Sequence, residues 1–493
     1  MGEPSLPEPS LSSSYDERIS DAEARFERWR KRLGLWLGPP VGVLVGLAGP
    51  GDAAQRLAGI MAFAAIWWIG EAVPVAVTAL LAAAAVVLFD VAPARSAFAA
   101  FGTPVLFLFV GSFFIAEAMK VHGLGARAAR AMARRARGQL SMLIALSTTA
   151  FGLSLWMSNA AATAVTLPIA LSVAQSARDR RYAAAIVLSI AYGASMGGIG
   201  TPVGTPPNLI GIEQMRHAGV YIGFLRWMSV GLPLGLLMLA MMWALLALRF
   251  RLRPGRPLPE ALASMTHATR LSRGEVAVCC VFALAVAGWL VPGLIEVATP
   301  GSAASRWAAA HATEEVVALT AAALLFLWPV GDRPALTWNE AARIDWGTIF
   351  LFGGGILLGD LAGKTGLTAR WGEALVDATG AHSLWAITAL VTAVALVLSE
   401  LTSNTATATL IVPLAITLAQ AAHVRIEPPA LGATLGASFG FMLPISTAPN
   451  AMAYGTGQVT IRQMASAGIF FDVIGFTAIV LGLRLLCPLL GLN

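Results

Sequence analysis

Charge is scarce in this chain. Asp, Glu, Lys and Arg make up 12% of its 493 residues, against about 25% in a soluble globule. So little charge cannot solvate a globular surface in water, which excludes a soluble protein. Cysteine is nearly missing: Cys279, Cys280 and Cys487 are all there is. Two adjacent thiols in an apolar stretch and one distant thiol frame neither a disulfide scaffold nor a metal site. His122, His311, His382 and His423 have no ligand spacing and receive no role. No secretory signal peptide is expected, because the first apolar run follows a charged stretch without a cleavage pattern.

What the chain has is apolar length. Hydrophobic residues reach 57% and mean hydropathy is +0.73, so a polytopic membrane protein is expected. The net charge of +6 does not imply nucleic acid, because the cations cluster in loops between apolar runs, as the positive-inside rule describes. A span needs about 20 apolar residues. Spans are expected near 34–50, 55–71, 73–90, 102–120, 183–213, 222–249, 274–293, 314–330, 346–362, 429–458 and 468–489. Residues 1–14 read as disordered, and 15–33 as a short amphipathic helix on the inner leaflet.

Two longer apolar stretches, 139–175 and 384–421, could each pass twice. Each is interrupted by nearly the same phrase. Ser158-Asn159-Ala160-Ala161-Ala162-Thr163 leads to Pro168, and 245 residues later Ser403-Asn404-Thr405-Ala406-Thr407 leads to Pro413. A second phrase follows each: Gly204-Thr205-Pro206-Pro207-Asn208 and, 242 residues on, Ser446-Thr447-Ala448-Pro449-Asn450. The stretches read as re-entrant hairpins with Ser-Asn tips. The proline phrases read as unwound breaks inside spans, since each proline removes a backbone donor, and each break is expected to face its hairpin tip. Irregular backbone at this depth must be covered by protein or line a cavity.

Further pairs extend the repeat. Gly102-Thr103, Gly123-Leu124 and Ala126-Arg127 recur as Gly347-Thr348, Gly366-Leu367 and Ala369-Arg370. Five spans plus one hairpin is an odd number of crossings, so the second copy is expected to be inverted. The expected divisions are an N-terminal tail (1–33), a first span (34–54), repeat 1 (55–250), a cytoplasmic linker (251–271) and repeat 2 (272–493). Basic runs at 127–137, 178–181 and 249–273 face inward if the N-terminus is cytoplasmic, and 294–313 holds only Arg306 among Lys and Arg. Charge alone does not separate hairpins from ordinary helix pairs, because both leave the sidedness downstream unchanged.

A Ser-Asn tip offers a hydroxyl, an amide and freed backbone groups. Helix N-termini there suit an anion without a buried Arg or Lys. The oxygens equally suit a small hard cation. One lone Ser-Asn would read as glue between helices; two matched copies with matched breaks read as a central binding site. Glu71, Glu117, Asp360 and Glu400 lie near spans. Glu71 reads as a helix cap or scaffold hydrogen bond, and Glu400, nearest the second tip, as the best proton carrier. Trp67, Trp68 and Trp338 read as interfacial residues. Use of Ser158 or Ser403 as an enzymic nucleophile would need a partnered base, and neither motif contains His or Lys, so no enzyme is expected.

The run Trp67-Trp68-Ile69-Gly70-Glu71-Ala72-Val73-Pro74, with both Ser-Asn motifs and both Pro-Asn breaks, resembles the divalent anion:sodium symporter family of di- and tricarboxylate and sulfate carriers. The resemblance runs from about residue 35 to the C-terminus. It implies an all-α fold of about 11 transmembrane helices plus two re-entrant hairpins, divided into scaffold and elevator-type transport domains. It also implies a homodimer in a bacterial-type inner membrane and no organic cofactor. The cargo would be a small divalent anion, such as succinate, malate or fumarate, with two or more sodium ions; an inorganic oxyanion carrier or a sodium-independent exchanger are the alternatives. By motif, one sodium site would use Ser154, Ser158, Asn159 and the carbonyl of Gly204. The other would use Ser399, Thr402, Asn404 and the carbonyl of Ser446. Substrate would meet Ser158, Asn159, Ala160, Ser403, Asn404 and Thr405, with Thr205, Pro206, Thr447 and Ala448 lining the site. The chain departs from the family at Ala160, where Thr is usual, and at Ala448, where Pro is usual. A lost hydroxyl removes one hydrogen bond of order 1 kcal/mol.

Overall fold

The computed structural model describes residues 21–177, 179–252, 270–380 and 383–492. The expected disorder of 1–14 and most of the 251–271 linker lie outside them. The described chain is helical apart from one two-stranded hairpin, β1 (Pro329–Val330) with β2 (Arg333–Pro334). Nine helical runs among the described residues are long and apolar enough to cross a bilayer, or ten counting a bent pair.

The chain opens with α1 (Asp21–Leu47), α2 (Ala53–Gly70) and α3 (Val75–Leu88), then the short α4 (Ala94–Ala99). The surface helix expected at 15–33 and the span expected at 34–50 are therefore one continuous helix from Asp21 onward. Pro39 and Pro40 do not end it.

Seven helices follow: α5 (Pro104–Val121), α6 (Leu124–Ala133), α7 (Gln139–Ser154), α8 (Asn159–Ala177), α9 (Arg180–Gly198), α10 (Pro206–His217) and α11 (Phe224–Arg249). After them come α12 (Arg273–Ala298), α13 (Ala303–His311), α14 (Glu314–Leu327) and α15 (Trp338–Ala341). A capping box between Ser272 and Glu275 starts α12. The loop expected at 294–313 contains α13, which meets α14 at a 64° bend.

The seven-helix order then recurs as α16 (Trp346–Lys364), α17 (Leu367–Thr379), α18 (Leu384–Leu401), α19 (Asn404–Ala421), α20 (Glu427–Gly436), α21 (Ala448–Gly455) and α22 (Ile461–Leu489). Matched glycines serve matched corners. Gly123 between α5 and α6 has φ 68°, and Gly366 between α16 and α17 has φ 76°, a left-handed turn that glycine adopts without strain. The close packing is matched too. A Cβ on Gly193 of α9 would lie 2.8 Å from the Ser147 carbonyl oxygen of α7. A Cβ on Gly436 of α20 would lie 2.8 Å from that of Thr392 of α18. Small residues let each broken span lie directly on the first arm of its hairpin.

The halves interleave. α8 packs on α21, and α10 packs on α19 and α20. Tyr192 of α9 donates its hydroxyl to the carbonyl of Phe441 at 2.8 Å. Of the expected belt residues, Trp338 is exposed but Trp68 is 1% exposed. Trp68 Nε1 donates to the Val75 carbonyl at 3.2 Å, so it is a core residue that shapes the turn after α2.

Candidate functional site

All four motifs fall where the helical ladder stops. α7 gives way to α8 across 155–158, and α18 to α19 across 402–403. The expected spans 183–213 and 429–458 are each two helices, parted by 199–205 and 437–447. α8, α10, α19 and α21 begin at Asn159, Pro206, Asn404 and Ala448, each inside a motif. Each start carries the partial positive charge of the helix dipole; Pro206, Pro207 and Pro449 leave fewer N–H groups at α10 and α21 than at α8 and α19.

The two hairpin tips share one geometry. Ser154 Oγ donates to Asn159 Oδ1 at 2.7 Å, and Ser399 Oγ donates to Asn404 Oδ1 at 2.7 Å. Ser158 Oγ accepts the Ala161 N–H at 3.3 Å, and Ser403 Oγ accepts that of Ala406 at 3.2 Å. Both serines thus cap the second arm of their hairpin. Ser399 Oγ also lies 2.8 Å from the Ala437 carbonyl oxygen, which shares the one hydroxyl proton with Asn404 Oδ1.

The breaks repeat a second geometry. Gly198 would offer its carbonyl to the N–H four residues on, but that residue is Pro202; Gly440 faces Pro444 in the same way. An asparagine takes the orphaned carbonyl in each half. Asn208 Nδ2 donates to Gly198 O at 2.8 Å and Thr201 O at 2.7 Å. Asn450 Nδ2 donates to Gly440 O at 2.9 Å, Leu443 O at 3.1 Å and Ser446 Oγ at 3.1 Å. Both asparagines are fully buried.

Tip and break meet. A Cβ on Gly198 would lie 2.4 Å from Asn159 Oδ1, and one on Gly204 would lie 2.5 Å from Gly198 O and 2.9 Å from Ser154 O. Ser154, Asn159, Gly198 and Gly204 are therefore close neighbours, with the Ser154, Asn159 and Gly198 oxygens among the contacts. In the second half a Cβ on Gly440 would lie 3.2 Å from Ser399 O and 3.0 Å from Ser446 Cβ, which gathers Ser399, Asn404, Gly440 and Ser446. The one hydroxyl proton of Ser446 is shared between Gly440 O at 3.0 Å and Leu443 O at 2.7 Å. Thr402 is placed otherwise: its hydroxyl donates to Trp68 O at 3.3 Å. Neutral hydroxyl, amide and carbonyl oxygens are donors for a hard cation. Among the described residues no group of three or more His, Cys, Asp or Glu could hold a metal ion.

Exposure divides the remaining residues. Ser158 and Ala448 are exposed, and Asn159, Ala160, Pro206, Ser403, Asn404, Thr405 and Thr447 are half-buried. Thr205 is buried. Thr447 Oγ1 accepts the Asn450 N–H at 3.2 Å. A separate cavity of about 920 Å³ is lined by Glu213, Arg216, Trp289, Arg306 and Glu314, among others, and by no motif residue.

Glu400 accepts the N–H groups of Phe441, Met442 and Leu443 at 2.5, 2.9 and 3.2 Å. Its carboxylate anchors the second break. Asp472 of α22 lies buried beside it and meets no backbone N–H or hydroxyl among the described residues. The sequence reading missed Asp472, because one acid in an apolar helix carries no spacing signal. It also left out Asn208 and Asn450 as site builders, although Gly198 to Asn208 and Gly440 to Asn450 repeat one ten-residue spacing.

The chain is similar to known proteins. A family model described as citrate transporter matches residues 65–436. A protein named sodium-dependent dicarboxylate transporter SdcS from Staphylococcus saprophyticus is 30% identical over 488 residues, covering 94% of this chain and 92% of its own. Its namesake from Staphylococcus aureus strain USA300 is 31% identical over 490 residues, with the same coverage. The crystal structure of the Alcanivorax borkumensis YdaH transporter superposes with a TM-score of 0.51 at 13% identity, covering 95% of this chain and 97% of that one; this likeness concerns the fold. The chain belongs to the citrate transporter family and, with it, to the divalent anion:sodium symporters that its motifs resemble.

Proposed function

We propose that this protein is a secondary carrier that couples sodium to the uptake of small divalent anions, C4-dicarboxylates such as succinate, malate and fumarate. The observation that carries the reading is the duplicated tip and break: two oxygen clusters of one geometry, joined to four helix starts. Relatives about 30% identical across the whole chain are named for sodium-dependent dicarboxylate transport.

The chemistry follows from charge. No Lys or Arg lies in the four motifs, so a dianion there has only helix N-termini and hydroxyls to meet it. A cation about 4 Å away adds about 4 kcal/mol at an effective dielectric of 20, worth roughly a thousandfold in affinity. Sodium in each oxygen cluster supplies that charge, Ser154, Ser158, Asn159 and the carbonyl of Gly204 holding one ion and Ser399, Asn404 and the carbonyl of Ser446 the other. The substrate's two carboxylates then lie between Ser158-Asn159-Ala160 and Ser403-Asn404-Thr405, with Thr205, Pro206, Thr447 and Ala448 around them. Anion without cation binds poorly, and that is coupling.

The same reading takes the halves as inverted repeats and the hairpins as entering from opposite faces of a bacterial inner membrane, with the N-terminus cytoplasmic. It takes the carrier as a homodimer whose transport domain, holding both hairpins, moves against a scaffold. Uptake of labelled anions into proteoliposomes, with and without an inward sodium gradient, tests it. Succinate uptake that needs sodium is expected. Sulfate preferred over dicarboxylates, or exchange that ignores sodium, would overturn it.

A further inference from the structure

The motif from Trp67 to Pro74 contributes nothing to either oxygen cluster, yet it is folded against the second tip. α2 ends at Gly70, and Glu71 caps it with φ 46°, an uncommon backbone region for a residue with a side chain. Its N–H turns back to the carbonyls of Trp67 and Trp68. Its carboxylate meets α1, where Arg30 Nη2 donates to Glu71 Oε2 at 2.7 Å. The other arm of the same guanidinium, Nη1, donates to the carbonyl of Leu401 at 2.8 Å. Leu401 is the last residue of α18, next to Thr402, Ser403 and Asn404. Thr402 makes the adjoining contact with its hydroxyl on Trp68 O.

The register of this corner is fixed by close packing. A Cβ on Gly34 would lie 3.1 Å from the Gly70 Cα, and Arg30 lies one turn before Gly34 on the same face of α1. The Arg30 side chain is 13% exposed. A carbonyl at a helix C-terminus is an orphan acceptor, and a cation there also meets the negative end of the helix dipole. The first tip is held differently: Leu155 O accepts the hydroxyl of Thr201 from its own half. Trp156 stacks on Phe224 and Trp289.

We propose that Arg30, oriented by Glu71, is a positioning residue for the second Ser-Asn tip: its forked guanidinium ties the end of α18 to the α1–α2 corner and so sets how tightly the second oxygen cluster holds its cation. The inference rests on the sodium-coupled reading above. A guanidinium reaches two acceptors at once from a rigid plane, which a lysine ammonium does not reproduce.

The test uses the full chain, purified, with two readouts. One is the sodium dependence of succinate uptake in proteoliposomes. The other is the rise in unfolding midpoint that sodium causes, which reports binding without transport. Arg30→Met is expected to raise the half-activating sodium concentration roughly tenfold, with the maximal rate within about twofold, and to shrink the sodium-induced rise. Arg30→Lys is expected to resemble Arg30→Met. Glu71→Gln keeps an acceptor and is expected to fall between Arg30→Met and the wild type; it also serves if Arg30→Met fails to fold. A wild-type sodium response in folded Arg30→Met and Glu71→Gln overturns the proposal. So does a lower sodium-free midpoint with an unchanged sodium-induced rise, which is the mark of a purely structural ion pair. A wild-type protein with neither sodium-driven uptake nor a sodium-induced rise would instead refute the functional reading on which the proposal rests.

Discussion

Asn208 and Asn450 occupy matched positions, but removing them should not cost the same. In Asn208→Ala the Gly198 carbonyl loses its donor, and Pro202 has no N–H to replace it. A buried acceptor left unsatisfied costs about 1–3 kcal/mol. The Thr201 carbonyl keeps the Gly204 N–H at 3.3 Å, so its lost bond counts about 1 kcal/mol. The total is about 2–4 kcal/mol. In Asn450→Ala the Gly440 carbonyl keeps the hydroxyl of Ser446 at 3.0 Å and the Leu443 carbonyl keeps the Ser446 N–H at 3.3 Å, and the loss is about 1–2 kcal/mol. The difference arises because Ser446 stands where the first half has Gly204. Taken as the free energy that holds each break in its cation-binding shape, these losses predict a sodium affinity lowered roughly thirtyfold or more for Asn208→Ala and about five- to thirtyfold for Asn450→Ala. The assay is half-activating sodium for succinate uptake at saturating succinate. Adding Ser446→Ala to Asn450→Ala removes the remaining hydroxyl and should bring the double variant to the level of Asn208→Ala. Equal effects of the two single variants, or a double variant no worse than Asn450→Ala, would refute the reasoning.

Three further outcomes are expected. Thr405→Ala should weaken substrate binding roughly tenfold, about 1.4 kcal/mol, with sodium binding nearly intact, while Ala160→Thr should change the ranking among dicarboxylates more than the maximal rate; competition uptake measures both. Glu400→Gln should lower uptake by loosening the break at 441–443 and leave its sodium dependence in place. Uptake driven by a pH gradient without sodium, and abolished in Glu400→Gln, would assign the coupling to protons instead. Single cysteines near 140 and 175 should label from the same side of the membrane, and labelling from opposite sides would exclude the first hairpin as re-entrant.

Much of this was legible in sequence because local chemistry decides it. Pro206, Pro207 and Pro449 sit in the first turns of α10 and α21, where proline is tolerated, so a helix starts at each proline phrase and the chain before it is free to unwind. Ser158 and Ser403 cap helices because their hydroxyls reach an N–H three residues on. The corners at Gly123 and Gly366 were visible as a repeated pair, although their left-handed turns were not. What was hidden depends on partners distant in sequence. Arg30 and Leu401 are 371 residues apart, and Thr402 and Trp68 are 334 apart, so no local pattern announces either contact. Trp68 was misread for the same reason, since an aromatic near a span end looks interfacial until the element that buries it is known. The N-terminal helix was divided at residue 33 because its composition changes there, but a helix can cross that change without a break.

The interleaving of the halves bears on how the chain is made. Tyr192 finds its acceptor on Phe441, 249 residues later, and α8 finds α21 at a comparable remove. At about 5–20 residues per second, synthesis leaves the first half waiting roughly 10–50 s for those partners. During that interval the polar tip at Ser158 and the unwound segment at 199–205 stand in or beside the bilayer without the second half over them. Gly193, packed against the Ser147 carbonyl, and Asn208, closed on Gly198, complete their contacts within the first half. They can keep the broken span shut until the second half arrives.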